Sequence, residues 1–212
     1  MERLSDYLVF CDMDNPLLTA KEGIPACNRS VIRLFTAMGG RFTVASGRPP
    51  ESIRAALGDI ELSLPAISCN GSLLYDFQTN RVLRRSCLNQ EQAAAAIADM
   101  LQKFPKIGAE VMAGAGEMYV VHASNYTHAH QVDEHMESVA CPLENVPDGW
   151  LKVVFAGDPE TIRKAGQYAK TRYFGRDNYF LPTNQIYLEI MPSGISKAAG
   201  MEELCHILNE NI

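Results

Sequence analysis

The sequence predicts an α/β fold in which a doubly wound parallel sheet is interrupted by an inserted α+β domain. In the first third of the chain, continuous apolar runs at 7–11, 42–45 and 65–68 alternate with segments of helical periodicity. Such alternation with tight links is typical of a parallel sheet with right-handed crossovers. After Ser72 a hairpin pattern replaces the next crossover, and this change marks the start of the insertion.

Each element of the first part has a local signal. The run at 7–11 ends directly in acidic residues, which suits a strand that is buried on both faces and central in the sheet. Asn28 is placed to cap a helix, and the pair at 39–40, both glycines, ends it. Pro49 stands where a first helical residue can stand, so a second helix is expected to begin there.

The inserted segment is expected to form a sheet of its own with helices on one face. Its predicted elements are a hairpin of 72–77 and 81–85, a helix at 90–103, strands at 109–112 and 118–122, a polar helix at 126–139, a strand at 151–156, a helix from Pro159, and strands near 172–174 and 185–190. A last helix is expected at 196–208. These patterns predict a core domain at 1–82 and 187–212 and an α+β cap domain at 83–186.

The composition argues against nucleic acid and membrane partners. Lys plus Arg number 19 against 25 Asp plus Glu, and the formal net charge of −6 provides no basic surface for either partner. The chain has no long apolar stretch of the kind that spans a membrane and no export signal. Its six cysteines are widely spaced, without a Cys-x-x-Cys pair, so reduced thiols and a cytoplasmic location are expected.

Two carboxylates, Asp12 and Asp14, follow the first predicted strand. The carboxyl ends of the strands are where open α/β sheets bind ligands. Carboxylates spaced by two can point toward one locus, hold a divalent cation, and divide the roles of nucleophile and acid/base. In the simpler interpretation, Asp12 only ends a strand and Asp14 only caps a turn.

Two further segments carry groups that suit a phosphate. Ser46, Gly47 and Arg48 follow the second predicted strand, and a hydroxyl, a flexible backbone and a guanidinium can all donate to phosphate oxygens. Lys197 stands at the start of the last helix, where an ammonium and the helix N–H groups both favour an anion. Alternatively, the first segment is an ordinary strand-to-helix loop and Lys197 is a solvated surface lysine.

Together these segments resemble the haloacid dehalogenase-like (HAD) phosphatase superfamily, and most of all its Cof-type branch. Residues 9–14, 45–49 and 188–197 are similar to the first three motifs of that family, and 68–72 resembles the stretch before its cap insertion. The resemblance implies a HAD-like Rossmannoid core with a cap domain. It also implies a magnesium-dependent phosphatase that hydrolyses a small phosphorylated metabolite, such as a sugar phosphate, through an aspartyl-phosphate intermediate.

The resemblance also implies residue roles. Asp12 is similar to the aspartyl nucleophile, Asp14 to the acid/base, Ser46 to the phosphate-binding hydroxyl, and Lys197 to the charge-neutralising lysine. Asp12 and Asp14 would hold Mg²⁺. The residues that would contact the substrate are Gly47, Arg48, Asn70 and Gly71.

The chain departs from the family in two places. Asn15 and Pro16 stand where Gly-Thr is usual, and Pro16 removes a backbone donor and biases Asn15 toward extended geometry. The fourth motif, with further acidic residues, does not occur before Ile212, so the core looks truncated at its C-terminus. These departures support a second hypothesis: a catalytically weak or inactive relative that binds a phosphorylated ligand or acts as an interaction module.

The absence of that segment would leave the first strand at an edge of the sheet. An uncovered apolar edge pairs readily with another chain. Self-association through this edge or poor solubility is therefore expected, together with an active site open to water.

Two other patterns compete as functional signals. Four of the five histidines, His122, His128, His130 and His135, lie close together, but their spacing fits no metal motif, and a solvated polar helix is the better interpretation. The segment 114–116 lacks the third glycine of a dinucleotide-binding fingerprint.

Overall fold

A computed structural model describes residues 3–19, 23–173 and 177–210. The chain forms two compact units. Met1–Arg85 and Ile195–Ile212 make up the core unit, and Ser86–Gly194 make up the inserted unit. None of the described helices is long and apolar enough to cross a membrane.

The helices and strands follow one another in a βα pattern at first and in a mixed pattern afterwards. In chain order they are β1 (Leu8–Cys11), α1 (Ala26–Ala37), β2 (Arg41–Val44), α2 (Pro50–Leu57), β3 (Ala66–Ser68), β4 (Leu73–Asp76), β5 (Arg81–Arg85), α3 (Gln90–Lys103), β6 (Gly108–Ala113), β7 (Glu117–His122), α4 (Asn125–Glu134), β8 (Ser138–Ala140), β9 (Lys152–Ala156), α5 (Pro159–Arg172), β10 (Asn178–Pro182), β11 (Tyr187–Pro192) and α6 (Lys197–Leu208).

The core unit has the predicted parallel strands. β1 pairs with β2 in parallel, and a parallel bridge between Ala45 and Ile67 connects β2 to β3. β4 and β5 extend β3 as antiparallel strands, so the expectation that this hairpin belongs to the insertion is wrong: pairing with β3 holds it in the core unit. The α/β class and the parallel core predicted from the sequence are confirmed.

The expectation that the first strand is central and buried on both faces is wrong. Among the described residues β1 pairs only with β2, and Val9 is 38% exposed. β2 is the more deeply buried strand, since Phe42, Thr43 and Val44 are all buried. The run at 7–11 is as apolar as a central strand, but a run of apolar residues does not show how many neighbours the strand has.

The two crossover helices begin differently from expectation. Asn28 lies inside α1, whose N-cap is Pro25, and α1 ends before Gly39, which adopts φ +90°. The prediction that the glycines end this helix is confirmed. The prediction that Asn28 caps its N-terminus is wrong, because Pro25 already places the chain for helix entry. Pro49 is the N-cap of α2 rather than its first residue.

The inserted unit contains a six-stranded sheet in the order β10-β11-β9-β6-β7-β8. Its pairs are antiparallel except for β7 with β8. Apolar side chains of alternate strand positions pack with residues of α3 and α5 in one core, which includes Ile97, Val111, Phe155, Ala165 and Leu188. Because strand side chains alternate between faces, Glu110 lies on the opposite face from Val111.

The expectation of helices on one face only is wrong, because α4 buries His130 against Glu110 on the opposite face. The expected solvated polar helix at 126–139 is also wrong in its extent. α4 ends at Glu134 because His135 adopts a left-handed conformation, with φ +53°, and β8 follows.

Two other expectations about the insertion need correction. No strand occurs at 172–173, because α5 continues to Arg172 and Tyr173 is its C-cap; Phe174 lies outside the described residues. The expected return to the core at 187 is too early. β11 pairs with β9 and β10, and burial of Leu188 and Ile190 in the six-stranded sheet holds it in the inserted unit, whose boundary is at Gly194.

Candidate active site

Asp12 and Asp14 project from the turn that follows β1. Met13 between them is fully buried, whereas the side chains of Asp12 and Asp14 are 46% and 51% exposed. The Met13 amide donates to Asp12 Oδ1 at 2.8 Å. Burial of Met13 thus anchors the turn in the core and leaves both carboxylates at the surface.

The turn closes in a way the sequence did not predict. Asn15 adopts φ +77°, so the expected extended geometry before Pro16 is wrong. The amides of Leu17 and Leu18 both donate to the Met13 carbonyl, at 3.2 and 2.7 Å. These bonds close the turn without a donor at Pro16, and asparagine tolerates the left-handed conformation better than most residues.

Lys197 contacts Asp12 from the first turn of α6. Its ammonium donates to Asp12 Oδ1 at 2.7 Å. Asp12 Oδ2 has no hydrogen-bond partner within residues 3–19, 23–173 and 177–210. One oxygen of this carboxylate is therefore held by a cation while the other is available to a ligand.

Arg48 contacts Asp14 instead of standing ready for a substrate. Its Nε and Nη2 donate to Asp14 Oδ1 at 3.1 and 2.9 Å, and its Nη1 donates to the buried Ser52 hydroxyl at 2.8 Å. The guanidinium fork thus fixes the direction of the Asp14 carboxylate. Neither the contact with Asp14 nor the role of Ser52 was predicted, because both depend on how α2 packs.

Ser46 and Asn70 belong to two adjoining turns. Ser46 is fully buried, and its hydroxyl accepts a hydrogen bond from the Arg48 amide at 3.1 Å. The Asn70 amide donates to the Ser46 carbonyl at 2.9 Å. A Cβ at Gly47 would lie 3.0 Å from Asn70 Oδ1, so glycine allows the two turns to approach. The structure therefore brings the second predicted motif and Asn70 together.

A close backbone approach positions the start of α6. Gly71 adopts φ +101°, and a Cβ there would lie 2.2 Å from the Ser196 carbonyl oxygen. A Cβ at Gly200 would lie 2.7 Å from Ile67 Cγ2. Two glycines thus bring Lys197 within reach of Asp12. Gly200 was missed, although a glycine inside a helix is a signal of close packing.

Two acids and two cations form the candidate site: Asp12 with Lys197, and Asp14 with Arg48. The neighbouring Cys11 thiol has a raised pKa, first because of burial and then because of the negative charge of Asp12. The site therefore places a protonated thiol behind two exposed carboxylates.

The carboxylates of Asp12 and Asp14 are the groups that could hold a metal here. In the described part of the chain, no three His, Cys, Asp or Glu side chains group so as to bind one. Mg²⁺ usually binds through one or two carboxylates together with waters and substrate phosphates. Two exposed carboxylates, one with an available oxygen, fit that requirement.

A match to a known protein family shows which proteins this chain is related to. The model of the haloacid dehalogenase-like hydrolases, Hydrolase_3, matches residues 9–212. The chain belongs to this family. The match includes every residue of the candidate site, so the HAD-like resemblance inferred from the motifs is confirmed.

Solved HAD-like structures share the fold at low sequence identity. A haloacid dehalogenase-like hydrolase from Bacteroides thetaiotaomicron superimposes with a TM-score of 0.82 at 19% identity, over 96% of this chain and 77% of that one. The sugar phosphatase BT4131, of HAD subclass IIB, gives a TM-score of 0.76 at 17% identity, over 95% of this chain and 76% of that one.

One curated relative is more similar in sequence over a shorter stretch. The 5-amino-6-(5-phospho-D-ribitylamino)uracil phosphatase YwtE of Bacillus subtilis (strain 168) is 34% identical over 90 residues. That stretch is 42% of this chain and 30% of the relative. The chain therefore matches less than a third of the length of this curated protein.

Proposed function

We propose that this HAD-like protein is a magnesium-dependent phosphatase that hydrolyses a small phosphorylated metabolite through an aspartyl-phosphate intermediate. The observation that carries the proposal is the Asp12 carboxylate, which has one oxygen on Lys197 and the other available at a strand end. The named phosphatases among its relatives support the reaction class.

Each residue of the candidate site has a different role in the proposed reaction. Asp12 attacks phosphorus, the phosphorus–oxygen ester bond breaks, and Asp14 gives a proton to the departing alkoxide. Asp14 then takes a proton from the water that hydrolyses the acyl phosphate. Lys197 and the Ser46 hydroxyl stabilise the phosphoryl oxygens. Mg²⁺ bound by Asp12 and Asp14 would reduce the repulsion between the carboxylate and the phosphate.

The remaining predicted residues have supporting roles. Gly47, Asn70 and Gly71 shape the turns beside the phosphate position, and Arg48 orients Asp14. We propose that Arg48 also meets the substrate when Asp14 turns toward the leaving group, because its guanidinium is the one described cation in contact with that carboxylate.

The test is phosphate release from a panel of phosphorylated metabolites in the presence of Mg²⁺. The panel contains sugar phosphates and 5-amino-6-(5-phospho-D-ribitylamino)uracil, the compound in the name of the Bacillus subtilis relative. Asp12→Asn should abolish release, while Asp59→Asn, a change of an exposed acid elsewhere in the core unit, should not. Equal activity of Asp12→Asn and wild type would exclude Asp12 as nucleophile, and a chelator should stop the wild-type reaction.

The second candidate function is a weak or inactive relative that binds a phosphorylated ligand or acts as an interaction module. The ion pair that holds Asp14 on Arg48 and the Asn15-Pro16 turn favour it. Vanadate, which imitates a phosphoryl group, distinguishes the two functions. Tight binding that needs Mg²⁺ supports the enzyme, whereas binding unchanged by a chelator supports the module.

We also propose a cytoplasmic location and self-association through the edge of β1. None of the six cysteines, all of which lie in the described part of the chain, forms a disulfide. β1 has a strand neighbour on one side only within the described residues, and Tyr7 and Val9 are exposed there. Sedimentation at several concentrations should show association that Val9→Lys reduces, because edge lysines oppose strand pairing. A stable monomer with β1 fully protected from hydrogen exchange would contradict this.

A further inference from the structure

Arg48, which contacts Asp14, is itself held by three serines of the core unit. Its amide donates to Ser46 Oγ at 3.1 Å, and its carbonyl accepts a hydrogen bond from the Ser68 hydroxyl at 2.7 Å. Its Nη1 donates to Ser52 Oγ at 2.8 Å. Ser68 and Ser52 are 0% and 1% exposed. Buried hydroxyls therefore fix the backbone and the guanidinium of Arg48 separately.

The chain between Arg48 and Ser52 contains two consecutive prolines. Pro49 is the N-cap of α2 with φ −71°, and Pro50 is the first residue of the helix. Each proline ring limits φ to a narrow range, so the backbone has few alternative conformations across this junction. Ser52 follows in the first turn of α2, four residues after Arg48. A stiff segment thus sets the position of the Ser52 hydroxyl relative to Arg48.

The guanidinium connects Ser52 to the carboxylate that the proposed reaction uses as acid and base. Nη1 contacts Ser52, while Nε and Nη2 contact Asp14 Oδ1. The guanidinium is planar, so its hydrogen bond to Ser52 also restricts the plane in which it contacts Asp14. The side chain of Arg48 is 16% exposed and that of Asp14 is 51% exposed. Order at the exposed carboxylate is therefore derived from the buried serine.

We propose that Ser52 is a positioning residue for Asp14 and acts on it through Arg48. This inference rests on the proposed phosphatase function, and it assigns no contact between Ser52 and the substrate. A general acid must come within hydrogen-bond reach of the leaving oxygen. Asp14 starts from the fork of Arg48, so the position of that fork sets how readily the carboxylate reaches this oxygen. Loss of the Ser52 hydroxyl makes the fork mobile and slows protonation of the leaving group.

The test compares kcat/KM of wild type and Ser52→Ala on two phosphate esters. One is the sugar phosphate that wild type hydrolyses fastest, whose alkoxide needs a proton as it leaves. The other is p-nitrophenyl phosphate, whose phenolate is a much weaker base and leaves without one. Ser52→Ala should lower kcat/KM roughly tenfold for the sugar phosphate and less than about threefold for p-nitrophenyl phosphate, because general acid catalysis assists only the first. Equal losses on both esters, or no loss on either, would overturn the proposal.

A double-mutant cycle tests whether Ser52 acts through Arg48. Arg48→Lys keeps a positive charge and loses the planar fork that joins Ser52 to Asp14. With the sugar phosphate, Ser52→Ala should then cost less than about twofold in this background, because the two residues act as a unit. A full additional loss of roughly tenfold would show that Ser52 acts independently of Arg48, against the proposal.

Thr43→Val is the matched control for the loss of a buried hydroxyl. Thr43 on β2 is 0% exposed, and its hydroxyl donates to the Pro65 carbonyl at 2.8 Å. This variant should keep the wild-type ratio of kcat/KM between the two esters. A change of that ratio as large as in Ser52→Ala would assign the effect to general loosening of the core unit and would overturn the proposal.

A measurement without substrate separates this inference from the proposed function. In nitrogen relaxation NMR, the Nε–H group of Arg48 should be rigid in wild type and in Thr43→Val, and mobile in Ser52→Ala. If wild type releases phosphate from no ester, the proposed function fails, and the mobility of Arg48 still decides whether Ser52 holds it. Equal mobility of Arg48 in wild type and Ser52→Ala would contradict the positioning role.

Discussion

The two units differ in whether their ion-paired side chains are exposed or buried. In the core unit Asp12 and Asp14 follow the end of a strand, stay about half exposed and contact Lys197 and Arg48. In the inserted unit Glu110, Lys152 and Glu189 stand within strands and are buried.

The difference determines what each pair can do. Attraction between exposed charges is weak in water, so the carboxylates of the core unit can exchange partners when a ligand arrives. Buried charges lose solvation that only their partners replace, so they must stay paired. Ion pairs of similar length thus support reactivity in one unit and stability in the other.

The largest effect is expected where a buried charge loses its partner. Lys152→Met should lower the free energy of unfolding of the inserted unit by about 3–5 kcal/mol, because Glu189 stays buried without the ammonium it contacts. Trp150, the one tryptophan of the chain, is buried in this unit, and its fluorescence can follow urea unfolding.

A lysine in an exposed pair is the matched control for Lys152. Lys164→Met removes the partner of Glu160 on the surface of α5 and should leave the unfolding midpoint unchanged. Equal effects of the two substitutions would show that burial does not distinguish the pairs.

The second largest effect on stability is expected where the backbone of Gly71 lies close to that of Ser196 in the core unit. Gly71→Ala should lower stability by about 2–4 kcal/mol, because its Cβ would meet the Ser196 carbonyl at a backbone angle that side chains rarely adopt. Activity should fall with it, since Ser196 precedes Lys197. Gly194→Ala shares the positive φ but meets nothing within 4 Å, so urea unfolding should show a smaller loss. Similar losses would remove the steric explanation.

The third effect separates reactivity from stability. Lys197→Met should lower phosphate release roughly 100-fold, since the proposed donor to the phosphoryl oxygens is lost, yet change stability by no more than about 1 kcal/mol, because the pair is partly exposed. The rate of phosphate release and the free energy of unfolding are measured on the same protein preparation. Lys106→Met, a change of an exposed lysine in the inserted unit, should alter neither. A large loss of stability in Lys197→Met would make this pair resemble that of Lys152.

The smallest effect is expected at Asp99, on the surface of α3. Hydrogen bonds from Tyr173 and Tyr168, with the charge of Arg172, hold the pKa of Asp99 below its usual range. This lowered pKa stabilises the fold above the pKa of the unfolded chain, and the contribution is lost as the pH falls through the native value. Asp99→Asn should therefore be less stable than wild type by under about 1 kcal/mol at pH 7, and this difference should shrink as the pH falls through the native pKa of Asp99. A gap that stays constant with pH would contradict this.

Local patterns predicted the parallel strands and the carboxylates after β1, because alternation of apolar runs and helical segments is a property of neighbouring residues. They failed at β11, whose apolar residues fit either unit; only pairing with β9 and β10 assigns it to the insertion. They also failed at 172–173, where α5 continues to Arg172 through a segment that suits a strand.

By itself, the sequence determined the fold class, the family resemblance and the positions of Asp12, Asp14, Ser46 and Lys197 along the chain. The tertiary structure alone decided that Arg48 holds Asp14, that Gly71 and Gly200 bring Lys197 to Asp12, and that His130 is buried. The physical reason is how far apart in the sequence the interacting residues stand. Propensity and periodicity act between residues a few positions apart, whereas these contacts join residues that are distant in the chain and meet only when the core packs.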